Sequence, residues 1–72
     1  MATTIATNLE RELGRSEAIA QFVVEAEVTI NQISPELDYR RADLSGFVRA
    51  AWPYDGTPAD AASEFVASLP EA

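Results

Sequence analysis

Apolar residues recur along this chain at helical spacing in four places, and each recurrence follows residues suited to starting a helix. Ile5, Ala6, Leu9 and Leu13 fall on one stripe behind Thr3 or Thr4, whose hydroxyls can accept from first-turn N–H groups. Gly14 stands at the C-terminal position where left-handed geometry is open to glycine. Ser16 offers a new N-cap at once, so the first two helices are expected to form an αα-hairpin. Ser34-Pro35-Glu36 reads as N-cap, N1 proline and first-turn acid, with Leu37, Leu44, Phe47, Val48, Ala51 and Trp52 continuing at helical spacing. Gly46 interrupts that run at a cost of roughly 1 kcal/mol against Ala. Asp43 can recap the chain there, giving one bent helix or two short ones. Pro53 ends the run, and Trp52-Pro53-Tyr54-Asp55-Gly56 has the composition of a turn. Thr57-Pro58-Ala59-Asp60 combines a cap, an N1 proline and an acid at N3, ahead of the stripe Ala61, Ala62, Phe65, Val66 and Leu69 that Pro70 terminates. The predicted helices are 4–13, 16–33, 35–52 and 58–69, in one all-α domain over residues 1–72 built as a compact bundle of three to four short helices.

Residues 17–33 support two readings. Phe22, Val24, Ala26, Val28 and Ile30 alternate with Val23, Glu25, Glu27, Thr29 and Asn31, which is a strand pattern. At 3.6 residues per turn, Ile19, Phe22, Val23, Ala26, Ile30 and Ile33 instead share an arc of about 100°. The helical reading accounts for a longer segment and begins at a cap, so it is preferred, with an α+β fold carrying a strand near 22–30 as the alternative. A helix here leaves Val24 and Val28 on the side away from its core stripe. Such a helix is either sandwiched in the fold or shared with another chain.

Length makes the second possibility weightier. A 72-residue chain buries only ~60% of the surface its unfolded form exposes, so its core is marginal and a partner is a natural source of added stability. The expected core is Leu9, Leu13, Ile19, Phe22, Val23, Ile30, Ile33, Leu44, Val48, Trp52, Phe65 and Leu69. With 47% hydrophobic residues, the chain is not of the disordered class. It shows no basic region followed by an apolar run at its start, and no stretch near the ~20 apolar residues that span a bilayer. Absence of cysteine fits a cytoplasmic protein.

Charge narrows the function classes. Twelve carboxylates face five arginines, for a net charge of -7, and there is no histidine, cysteine or lysine. The chain therefore lacks an imidazole for proton transfer, a thiolate for attack or soft-metal ligation, and an amine for Schiff-base chemistry. Glu25 and Glu27 point apart on a helix, and Asp60 and Glu64 read as an exposed i, i+4 pair. Asp55-Gly56 lacks the alternating Asp/Asn ligands of a calcium loop, and Ser45-Gly46 has no base to activate it. Three scattered glycines make no phosphate loop, and no carrier-protein Asp-Ser-Leu site, Trp-x-Gly secretion motif or zinc knuckle occurs. No enzyme activity, cofactor or metal is expected. The acidic balance also disfavours direct nucleic-acid contact and anionic membranes.

What remains is association. The expected contact surface is Val24 and Val28, rimmed by Gln21, Glu25 and Glu27, an apolar strip with polar surroundings as in an interface core. Arg40 and Arg41 add a basic island. Arg41 is expected either to lie along the apolar stripe with its head paired to a carboxylate or to anchor an anionic group of a partner. Trp52 is expected in the core, and Tyr54 partly exposed as a further contact. The protein is thus expected to be a non-enzymatic interaction module, a small acidic regulator, inhibitor or accessory subunit. Its expected partner is a protein with a basic surface, a second copy of itself, or both. One alternative is a nucleic-acid mimic encoded by a phage or mobile element and acting on a host defence nuclease, of the anti-CRISPR or anti-restriction kind. Another is a dimeric helical transcription regulator or antitoxin, kept open by the Arg40, Arg41 and Arg49 island.

Overall fold

Two polar caps and one glycine set most of the helix boundaries of the fold. The structure is a computed structural model that describes residues 4–69. Thr4 caps α1 (Ile5–Leu13), its Oγ1 accepting from the Thr7 N–H at 3.1 Å. Gly14 then closes α1 and opens α2 (Arg15–Ile33) by itself. Its N–H donates to the Glu10 carbonyl and its carbonyl accepts from the Ala18 N–H, both at 2.9 Å. It does so at φ 87°, a conformation that L side chains rarely adopt. Ser16, expected as the cap, lies inside the first turn of α2 instead, and no side chain caps that end.

α2 is one uninterrupted helix of 19 residues, and among the described residues no strand occurs, so the strand alternative for 22–30 is excluded. It is the spine of the molecule. Near 28 Å long at 1.5 Å per residue, it packs against each of the other three helices. Its inward arc carries Ile19, Phe22, Val23, Ala26 and Ile30, all buried, with Phe22, Ala26 and Ile30 fully so. Four fully buried alanines, Ala6, Ala26, Ala61 and Ala62, lie in the same cluster and let helix axes approach closely.

The third helix is shorter than expected. The spacing predicts a helix over 35–52, whereas α3 spans Arg41–Ala50. Ser34 does not open a helix but ends α2, its N–H donating to the Ile30 carbonyl at 2.8 Å. A tight turn follows, with the Leu37 N–H on the Ser34 carbonyl at 3.0 Å, and the chain runs on without helix to Arg40. The reason is packing. Leu37 and Tyr39 both pack on the core while Asp38 and Arg40 stay exposed, a period of two that an extended chain satisfies and a helix does not. Asp43 does not recap the chain but sits in the first turn of α3, whose N-cap Arg40 makes no side-chain cap bond. Gly46 lies mid-helix without breaking it.

α4 (Pro58–Ser68) begins as expected. Thr57 Oγ1 accepts from the Asp60 N–H and Asp60 Oδ2 accepts from the Thr57 N–H, each at 3.1 Å, a reciprocal capping box with Pro58 in the first turn. Phe65 from α4 meets Tyr39 and Phe47 edge-on, at ring-centroid separations of 5.9 and 5.7 Å.

Of the expected core, Ile19, Phe22, Val23, Ile30, Leu44, Val48 and Phe65 are buried, and Leu9, Trp52 and Leu69 are half-buried against that cluster. Leu13 and Ile33 are corrections: they are 43% and 52% exposed. Each is the last residue of its helix and overhangs the elements that would cover it. Tyr54 is the opposite correction, buried at 6% exposure rather than open at the surface.

Candidate functional site

Helical geometry puts neighbours in sequence on different sides of α2, and the contrast is sharpest at Val23 and Val24. Val23 is 2% exposed and Val24 41%, one position apart and about 100° around the axis. Val28, one turn beyond Val24, is 53% exposed. Gln21 and Glu25 flank them and are exposed as well. The structure therefore brings Val24, Val28, Gln21 and Glu25 together on one outward ridge of the central helix.

Glu27 leaves that group. Its carboxylate turns toward α3 and pairs with Arg41, Oε1 to Nε at 2.9 Å, where it is only 26% exposed against 63% for Arg41. Of the two roles expected for Arg41, the geometry gives the one paired with a carboxylate. The same carboxylate adjoins Tyr39. That phenol is pushed above its usual range, first by partial burial and then by the negative charge of Glu27 and a hydrogen bond to it, with Arg41 opposing. The pair so exposed contributes at most ~1 kcal/mol, and its place is structural: it ties the start of α3 to the spine. Arg40, the N-cap residue of α3, is exposed beside it.

The aromatic turn is held rather than presented. Trp52 Nε1–H donates to Glu10 Oε1 at 2.6 Å, linking the end of α3 to α1. The Tyr54 hydroxyl donates to Glu64 Oε2, linking the turn to α4. Phe22 lies between the two rings, edge-on to Trp52 and tilted to Tyr54, with centroids 5.6 Å away in both cases. Tyr54, expected as a partner contact, thus spends its ring on the core and its hydroxyl on Glu64. No spacing rule could have found either bond, since the partners lie 42 and 10 residues apart.

Compared with known families, curated proteins and solved structures, the chain matches none. Its site is therefore read from its own residues. Among the described residues, no three His, Cys, Asp or Glu side chains converge as metal ligands, and no helix is long and apolar enough to cross a membrane. Shallow depressions mark the surface, and four of them are lined wholly by the described residues. One lies between α2 and α3 (Ala20, Val23, Arg41, Ala42, Ser45), and one where Arg15 and Arg49 meet over Ile19. The other two adjoin the start of α4. The first holds Glu25, Val28, Thr29, Thr57, Pro58 and Ala59, and the second Thr4, Ile5, Asp55, Gly56 and Thr57. The residues that sequence reasoning missed are in this last pair: Ile5, placed on the buried stripe of α1, is 40% exposed there.

Proposed function

We propose that this protein acts without catalysis, by binding another protein through the outward ridge of α2, as a small acidic regulator or accessory subunit. The observation that carries the reading is the exposure of Val24 and Val28, 41% and 53%, on the helix that the rest of the molecule is built around. An apolar strip on a rigid central helix, rimmed by Gln21 and Glu25, has the composition of an interface core with a polar rim. The partner is a protein with a basic surface: of the described carboxylates only Glu27 is in an ion pair, so the rest leave the surface strongly negative. The absence of histidine, cysteine and lysine supports a role without chemistry, and the absence of cysteine supports a cytoplasmic setting. Mimicry of a nucleic-acid backbone is the narrower form of this reading, favoured by the same uncompensated carboxylates.

The test is capture from a lysate of the source cells with the wild-type protein and with the double variant Val24→Asp, Val28→Asp. The expected result is a partner held by the wild type, released as salt rises, and lost from a variant that keeps its helical circular dichroism. A partner retained equally by both proteins would refute the ridge as the contact. A nucleic-acid-binding enzyme among the captured proteins would favour mimicry.

A further inference from the structure

The two depressions at the start of α4 differ from the other two in charge as well as place. They adjoin at Thr57, which lines both: Ile5 and Asp55 lie in one, Glu25, Val28, Pro58 and Ala59 in the other. Their volumes are ≈ 380 and ≈ 230 Å³, and both are open to solvent, enough for a few side chains of a partner. Neither is lined by an arginine, whereas Arg41 lines the α2–α3 depression and Arg15 and Arg49 line the remaining one. The apolar side chains are uncovered, Ile5 at 40% and Val28 at 53% exposure, and the carboxylates of Glu25 and Asp55 stand exposed at the two ends. The start of α4 adds little call for an anion there, because Pro58 has no N–H, the Asp60 N–H is taken by Thr57 Oγ1, and the Asp60 carboxylate complements the helix dipole.

We propose that this acidic groove, running from Ile5 past Thr57 to Val28, is a docking site for a short amphipathic helix of a partner protein whose apolar face is flanked by lysine or arginine. The proposal rests on the association reading above and says which part of the surface the partner fills and with what chemistry. Apolar anchors of the incoming helix cover Ile5, Val28, Pro58 and Ala59, and its cations meet Glu25 and Asp55. A cation on either carboxylate gains from a surface of net charge -7 and meets no lining arginine that would repel it. Recognition of an amphipathic helix by anchors one turn apart is the geometry that such a shallow groove serves.

The test uses a synthetic helical peptide of about 15 residues, with leucines on one face and lysines elsewhere, beside a scrambled peptide of the same composition. It is titrated into the ¹⁵N-labelled full chain. The expected result is amide shift changes centred on Ile5, Glu25, Val28, Thr29 and residues 55–59. Binding should weaken at least about tenfold in Val28→Gln and in Ile5→Gln, while Leu13→Gln, an exposed apolar position outside the groove, leaves it unchanged. Equal binding of the scrambled peptide, or changes spread over Glu12, Glu17, Glu36 and Asp43, would overturn the proposal as unspecific charge attraction. Changes confined to Gln21 and Val24, on the ridge but outside the groove, would overturn the groove while leaving the ridge as an association surface. Dimerisation of the chain abolished by Val28→Gln would also overturn it, by making a second copy the occupant.

Discussion

At the scale of single residues, the acids of this chain divide into those that hold the fold and those left to solvent. Glu10, Glu64 and Glu27 each take a hydrogen bond or ion pair from a distant aromatic or arginine side chain. Glu17 and Glu25 are exposed on α2. The expectation grouped Glu25 and Glu27 as rim residues, but the helix points them apart and α3 takes the second into an ion pair. Tyr39 reports on that separation. With its pKa raised, the native state binds the phenol proton more tightly than the unfolded chain does. The resulting stabilisation is full below the usual value of about 10 and is lost as pH rises through the folded value. Site-resolved ¹³C resonances of the tyrosine rings should show Tyr39 ionising above that usual value. Glu27→Gln should move the midpoint down, leaving burial opposed by the Arg41 charge. An unchanged midpoint would contradict the contact between Glu27 and Tyr39.

At the scale of elements, two segments look alike in sequence and fold differently. Ser34-Pro35-Glu36 and Thr57-Pro58-Ala59 both read as a cap followed by an N1 proline, and only the second opens a helix. The difference lies at the third helical position. Asp60 closes the capping box on Thr57, whereas Leu37 has no carboxylate to return and an apolar side chain to bury. Tyr39, two residues on, packs on the same core, and an extended chain puts both on one side. The first and fourth helices were legible because cap and stripe agreed there, and the second by its stripe alone, since Gly14 and not Ser16 opens it. The start of the third was not, because a long-range packing demand overrode a local signal. Leu13 and Ile33 failed for a related reason: periodicity gives the face of a helix and not where its cover ends. If the box holds α4 as drawn, Thr57→Ala should lower stability by about 1 kcal/mol, a drop in thermal midpoint of about 4–8 °C for a domain of this size. Asp60→Ala should lower it less. A midpoint unmoved by Thr57→Ala would mean that the start of α4 is held by packing alone.

At the scale of the whole molecule, one long helix is packed by three shorter ones and still keeps a bare side. That side contains the two valines whose strand-like alternation with Glu25 and Glu27 made the segment ambiguous in the first place. The helical fold resolves the ambiguity by exposing them, and the association reading is built on that exposure. The exposed ridge was legible as Val24, Val28, Gln21 and Glu25. The groove beside it was not, because Ile5, Val28 and Thr57 reach it from three separate parts of the chain. The decisive measurement is the thermal midpoint of Val24→Asp, Val28→Asp set beside that of Val23→Asp. Outward positions tolerate the change within about 0.5 kcal/mol each, so the double variant should melt within several degrees of the wild type. Val23→Asp places a carboxylate in the core without a partner and should not fold at all. A double variant that unfolds as Val23→Asp does would put both faces of α2 in the core and remove the surface on which the proposed association rests.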